Sequence, residues 1–201
     1  MVAACSDAGF GAGVCLEIDM RKLVYHVAIT ADGRIAREDH SFDFFVMEGE
    51  HAADYLASLA GYDAVVMGRR TYELGLKVGV TDPYPTLETY VFSRTLKESP
   101  NPRVKVIAED AVGVIRKLKA QEGKPMYLCG GGDFAAMLLA EGLVDEVLFK
   151  LNPVLLGGGI PVVSRLAAPV NLTLVSTKVY RNGVLLLQYE VHPSAQAAGS
   201  A

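Results

Sequence analysis

The chain has 201 residues, 51% hydrophobic and 21% charged, a length and balance that suit one domain with a sizeable buried core. A formal charge of -4, a pI near 5.6 and the lack of any Lys/Arg block argue against a nucleic-acid partner. No apolar run reaches the roughly 18 residues needed to cross a bilayer, so no membrane partner is expected. Three cysteines, an odd count without paired spacing, fit a reducing compartment, and the cytoplasm is the expected location. The four histidines complete no metal motif with them, and no metal is expected.

Residues 1–19 carry Asp7, Glu17 and Asp19 and lack the basic leading segment of a signal peptide. Met20-Arg21-Lys22 reads as a natural start, so 1–19 are expected to be a disordered extension and 193–201 a flexible tail. Between them, 20–192 form the expected domain. Leu23 to Thr30 is a short β-rich run ended by the turn pair Asp32-Gly33. Ala52, Tyr55, Leu56 and Leu59 recur at helical spacing up to Gly61. Asp63 to Gly68 is a buried strand, Arg69 to Gly75 a short helix, and Thr89 to Ser93 and Val104 to Ala108 two more strands. Val112, Ile115 and Leu118 mark a helix with Lys117 and Lys119 near its C-terminal end, where the dipole favours cations. Met126 to Cys129 is a strand, followed by a Gly-Gly-Gly turn and a helix through Phe134, Met137, Leu138 and Leu139 that stops at Gly142. Glu146 to Leu151 is a strand, and Leu172 to Tyr180 and Val184 to Val191 flank Asn182-Gly183, a strong hairpin signal. The alternation predicts a three-layer α/β/α fold with a mostly parallel central sheet and an antiparallel C-terminal hairpin.

Three strand ends can carry chemistry. Gly130, Gly131 and Gly132 sit between a strand and a helix, where bare backbone and a helix N-terminus suit a pyrophosphate, or where a tight turn needs positive φ. Asp133 and Phe134 begin that helix. Gly68, Arg69, Arg70 and Thr71 place cations and a hydroxyl at another helix start, as would a solvated surface turn. Ser93 and Arg94 suit a ribose 2′-phosphate, and equally an ordinary polar loop. Open α/β sheets bind ligands beyond their strand C-termini, so the three ends reinforce one another. Gly9, Gly11 and Gly13 match no motif, and Gly157-Gly158-Gly159 reads as turn geometry.

Together with Ala28-Ile29-Thr30-Ala31-Asp32-Gly33-Arg34-Ile35-Ala36 and Leu155-Leu156-Gly157-Gly158-Gly159, these segments resemble the dihydrofolate-reductase superfamily, above all the reductase domain of bifunctional deaminase-reductases of riboflavin biosynthesis. The resemblance spans about Met20 to Val191 and implies a dihydrofolate-reductase-like fold and NADPH as cofactor. It implies that Ala28 and Ile35 line the nicotinamide, and that Arg69 and Thr71, helped by Arg70, hold phosphates. It implies further that Ser93 and Arg94 contact the 2′-phosphate, and that the Gly68 turn and the 130–134 segment pack against the dinucleotide. The zinc-deaminase signature is absent from the sequence, and so is the long substrate helix with an embedded acid.

The implied reaction is hydride transfer to a C=N or C=O of a small pterin- or pyrimidine-like heterocycle. Alternatives are a true dihydrofolate reductase or riboflavin-pathway reductase, and a non-catalytic NADPH-binding sensor. Asp43 is the candidate proton donor, with Phe42, Phe44 and Phe45 expected to desolvate it; a turn or N-cap role explains it equally. Asp32 reads as a turn former or a substrate contact, and Glu73 as a solvated helix acid. The apolar stretch Val184 to Leu187 suggests a covered or paired edge, and a homodimer is expected.

Overall fold

The computed structural model describes residues 20–192; the expectations for 1–19 and 193–201 lie outside the described residues. Ten strands and four helices follow in the order β1 (Leu23–Thr30), β2 (Arg34–Ala36), α1 (Glu50–Ser58), β3 (Ala64–Gly68), α2 (Arg69–Lys77), β4 (Glu88–Phe92), β5 (Val104–Ile107), α3 (Ala111–Lys119), β6 (Met126–Gly130), α4 (Gly132–Ala140), β7 (Glu146–Asn152), β8 (Ile160–Pro161), β9 (Asn171–Val179) and β10 (Leu185–His192). The main sheet runs β5-β4-β3-β6-β1-β7-β10-β9. Its first six strands are parallel, and the terminal hairpin is antiparallel to them through β10.

A parallel sheet buried on both faces requires strands that are apolar at every position. Alternate residues of β1, β3 and β6 accordingly enter two cores. Leu23, Tyr25, Val66 and Leu128 pack with Ile115 and Leu118 of α3 and Leu138 of α4. Val24, Val65, Met67 and Tyr127 pack on the other face with Tyr72 of α2 and, at its margin, Tyr55 of α1. This is the three-layer α/β/α arrangement that the alternation predicts. Among the described residues no helix is long and apolar enough to cross a membrane.

Two features depart from the sequence reading. β2 and β8 form a separate two-stranded sheet, too short for any periodicity to announce. It folds the 156–164 segment over the sheet: Val162 N–H donates to Gly33 O (2.9 Å), and the Tyr25 hydroxyl donates to Val162 O (2.7 Å). In the hairpin, β10 is paired on both sides, so the edge is β9, and every one of its residues is exposed. The Asn-Gly turn forms as expected, with Asn182 Oδ1 accepting from Val184 N–H at 3.2 Å.

At the N-terminal rim of the sheet, two buried cations meet partly exposed carboxylates. Lys119, read from sequence only as a dipole-compensating cation, has a side chain just 3% exposed. Its Nζ donates to Leu143 O (3.0 Å) and pairs with Asp145, whose carboxylate also accepts Leu23 N–H (2.6 Å). Arg21 pairs with Asp63, which accepts Lys124 N–H at 2.8 Å. These contacts join the starts of β1, β6 and β7 to the end of α3. Removing Lys119 leaves Leu143 O without its donor and the partly exposed Asp145 without its cation. Lys119→Met is therefore expected to lower unfolding free energy by about 1 kcal/mol, read as a reduced urea midpoint at an unchanged m-value.

Candidate active site

The C-terminal ends of β3, β4 and β6 lie side by side. β3 leads directly into α2 with Gly68 as N-cap, and β6 into α4 with Gly131 as N-cap. Neither cap supplies a side-chain acceptor, so the first-turn amides of both nine-residue helices remain available to an anion. The two turns adjoin: a Cβ on Gly68 would lie 3.6 Å from Phe134 Cβ. Gly130 and Gly131 are joined by a cis peptide bond and face Thr71, whose Oγ1 would lie 3.8 and 3.5 Å from a Cβ at these two positions. Gly130 has φ +140°, and a Cβ on Gly132 would come within 2.5 Å of Pro161 O. Two of the three glycines thus have a structural cause. Gly131 has an ordinary φ of -65° and room for a methyl group, so the space beside it is open to a ligand.

The surrounding side chains divide into engaged and available groups. Arg69 Nη1 holds both oxygens of Glu73 at 2.8 and 2.9 Å, so Glu73 is a partner of this cation and not merely solvated. Arg70 Nη1 reaches Asp133 at 3.1 Å, linking the two helix starts on the exposed side. Ser93 is buried, and its Oγ accepts the N–H groups of Thr95 (3.1 Å) and Leu96 (2.7 Å), which leaves its own proton to donate. Arg94 is exposed and makes no ion pair among the described residues. Phe134 stacks on Phe92 with centroids 4.9 Å apart and so packs the helix start against β4.

The two candidate acids behave differently from a buried proton donor. Asp43 has a side chain 73% exposed and paired with Arg37, whose guanidinium lies 4.9 Å above the Phe44 ring. Phe42 is exposed and only Phe45 of the three aromatics is buried, so the expected desolvation of Asp43 does not occur. Sequence adjacency to phenylalanines does not set where an aspartate points. Asp32 accepts the Thr30 hydroxyl (2.6 Å), Leu156 N–H (3.0 Å) and Gly157 N–H (2.8 Å). Those hydrogen bonds, Thr30's first, hold its carboxyl down at about 2. It is an ionised clamp on the loop after β7, as a turn former rather than a donor. Ile35 is half-buried in β2.

A cavity of about 150 Å³ opens beside Ala28 on the α1 face of the sheet, lined also by His26, Tyr55, Tyr127, Cys129 and Lys150. His26 is 4% exposed, its Nδ1 has no hydrogen-bond partner, and burial followed by the Lys150 charge pushes it down to about 4. Burial also pushes Lys150 down, and Lys150 makes no ion pair among the described residues. The hydroxyls of Tyr127, Tyr55 and Tyr84 run in a chain at 3.2 and 3.1 Å that ends on Cys129 Sγ, 3.2 Å from Tyr84. Burial raises all of these phenols and the thiol, so the chain is neutral. The sequence reading missed this cluster. Its signal was parity: His26 and Ala28 share a face of β1, and Lys150 is the one cation of β7, within the apolar run Val147 to Leu151.

Residues 21–186 match the family described as the RibD C-terminal domain. The chain belongs to that family. Among curated proteins, YwjB of Bacillus subtilis is 32% identical over 167 residues, covering 83% of this chain and 96% of YwjB. Among solved structures, a protein assigned to riboflavin biosynthesis from Shewanella sp. PV-4 is 25% identical with a TM-score of 0.75, covering 85% of this chain and 99% of its own. The dihydrofolate reductase of Enterococcus faecalis in complex with NADP(H), at 16% identity, shares the fold with a TM-score of 0.60 over 85% of this chain and 94% of its own. As a RibD C-terminal domain protein, the chain is an oxidoreductase with a dihydrofolate-reductase-like fold.

In this member of the RibD C-terminal domain family, the Asp32 clamp makes one corner of the site acid-sensitive. A carboxyl lowered from 3.8 to about 2 stabilises the folded loop fully above pH 4 and loses that contribution as pH falls through 2. Hydrogen-exchange protection at Leu156 and Gly157 is expected to fall between pH 4 and 2 beyond the change in intrinsic rate. In Asp32→Asn it should be low and flat across that range.

Proposed function

We propose that the protein is an NADPH-dependent reductase of a small pterin- or pyrimidine-like heterocycle. The observation that supports this most is the pair of adjoining, uncapped helix N-termini at Gly68 and Gly131, with Thr71 facing a glycine for which the fold itself has no need. In this reading the amides of α2 and α4, with Thr71, hold the pyrophosphate, and Arg69 and Arg70 share their charge between it and their carboxylate partners. Arg94, unpaired, and the remaining proton of Ser93 take the 2′-phosphate. Ala28 and Ile35 flank the nicotinamide, which supplies a hydride when bound. The chain then orients the acceptor in the cavity next to Ala28 and keeps water from it. NADP(H) in the similarly folded enterococcal enzyme supports the same choice of cofactor.

Calorimetry with NADPH tests this directly, and absence of binding by well-folded protein rejects it. Gly131→Ala is expected to weaken NADPH at least tenfold with the melting temperature nearly unchanged. Arg94→Ala should cost roughly tenfold for NADPH, the worth of one charge-assisted contact, and leave NADH affinity unaltered.

We further propose a homodimer through β9. A nine-residue edge strand exposing Leu172, Leu174, Val175 and Val179 is an invitation to pair that solitary proteins avoid. Light scattering behind size exclusion is expected to give twice the chain mass, and Leu174→Lys a monomer; a monomeric parent rejects the dimer.

A further inference from the structure

The cavity beside Ala28 has a polar end with no hydrogen-bonding or charged counterpart among the described residues. Nδ1 of His26 is buried without a partner, and a buried polar atom left unpaired is costly unless something outside the chain pairs it. Lys150 lies on β7 in register with Ala28 of β1, half-buried, with no carboxylate among the cavity-lining residues to neutralise it. The titratable groups lining the cavity with it are His26 on β1, Tyr55 on α1 and Tyr127 and Cys129 on β6, none of them anionic at neutral pH, and β10 places the apolar Leu186 opposite it. A cavity of about 150 Å³ is the size that accepts one six-membered ring.

We propose that Lys150 is the proton donor of this site, anchoring with His26 the acceptor atom of a single-ring oxo- or imino-heterocycle held against Ala28. The role rests on the reductase reading above. Reduction of a C=N adds hydride to carbon and leaves the former π pair on nitrogen. An Nζ–H bond of Lys150 breaks, an N–H bond forms at that nitrogen, and the neutral amine regains its proton from water. Burial that disfavours the ammonium makes it a readier acid than an exposed lysine. Asp43, exposed and tied to Arg37, has no place in this step.

The test uses the whole chain without cofactor and two probes: barbiturate, an anionic single ring, and pterin, a double ring. The Lys150 signal is followed by NMR across pH, assigned by its loss in Lys150→Arg. Expected are a Lys150 titration below that of the other lysines, barbiturate binding that moves this signal and raises its midpoint, and markedly weaker pterin binding. Lys150→Met should bind barbiturate at least tenfold more weakly, with NADPH affinity within twofold of the parent. Lys150→Arg should retain the ring, but its rate of substrate reduction should lose the alkaline limb that the parent shows as Lys150 deprotonates. An ordinary Lys150 midpoint, equal binding of barbiturate by Lys150→Met, or equal binding of pterin overturns the proposal. Failure of NADPH to bind, with the barbiturate results intact, instead overturns the reductase reading and the acid role with it, leaving an anion anchor.

Discussion

How closely backbone approaches backbone where β6 becomes α4 governs the rest of the site. Gly132 lies against Pro161 of β8 at a distance that no side chain tolerates, and this contact presses the small β2–β8 sheet onto the start of α4. The pairing of β3 with β6 meanwhile brings the α4 N-terminus alongside that of α2. Two helix ends with like partial charge do not attract one another, so their adjacency has no electrostatic gain in the protein alone. It becomes favourable when an anion sits between them. The local exchange of charge between Arg70 and Asp133 across the gap, and between Arg69 and Glu73 within α2, offsets part of that repulsion in the ligand-free chain.

The two rims of the sheet treat charge in opposite ways. At the strand N-termini, Arg21 and Lys119 are buried and each meets a carboxylate and a backbone carbonyl, so every charge is answered within the fold. Such pairs fix the relative register of the strands more than they add to stability. Towards the C-terminal ends, Arg94 and Lys150 have no carboxylate partner among the described residues. Unanswered cations in a protein with net charge -4 are not a matter of composition, since acids outnumber bases overall. Their location tells where negative or polarisable ligand groups are expected, and both positions fall along one continuous path from β4 through β6 and β1 to β7.

Much of this architecture is legible in the sequence because both-face burial writes itself as unbroken apolar runs. The limits of β1 follow the run from Leu23 to Thr30, and the Asn182-Gly183 turn is where its dihedral demands put it. β2 and β8 escape notice because two or three residues cannot display a period, and because Pro161 argues against a strand. The glycine triplet is legible as a turn or a phosphate site but not as both; only the packing around each residue separates Gly130 and Gly132, which the fold requires, from Gly131, which it does not. His26 and Lys150 stand 124 positions apart and meet only through the β1–β7 register, so no local motif announces them. Asp43 shows the reverse error, in which sequence neighbours suggested an environment that the chain does not build.

If Lys150 acts as the donor proposed above, it and the nicotinamide-flanking Ala28 lie on one strand pair, which has a geometric advantage over an acid placed on a loop. Ala28 and Lys150 are opposed across the β1–β7 ladder, held by hydrogen bonds on both strands and by β10 beyond. A carboxylate on the segment between β2 and α1, such as Asp43, is instead held from a loop, by its pairing with Arg37 and by the loop's tie to the sheet through Val46 N–H on Asn152 Oδ1 at 3.1 Å. Reactions of this kind lose rate steeply when donor and acceptor drift by about an ångström. For the role proposed for Lys150, the ladder suppresses that drift. A lysine in the sheet thus has its position set by strand pairing on both sides and not by a loop.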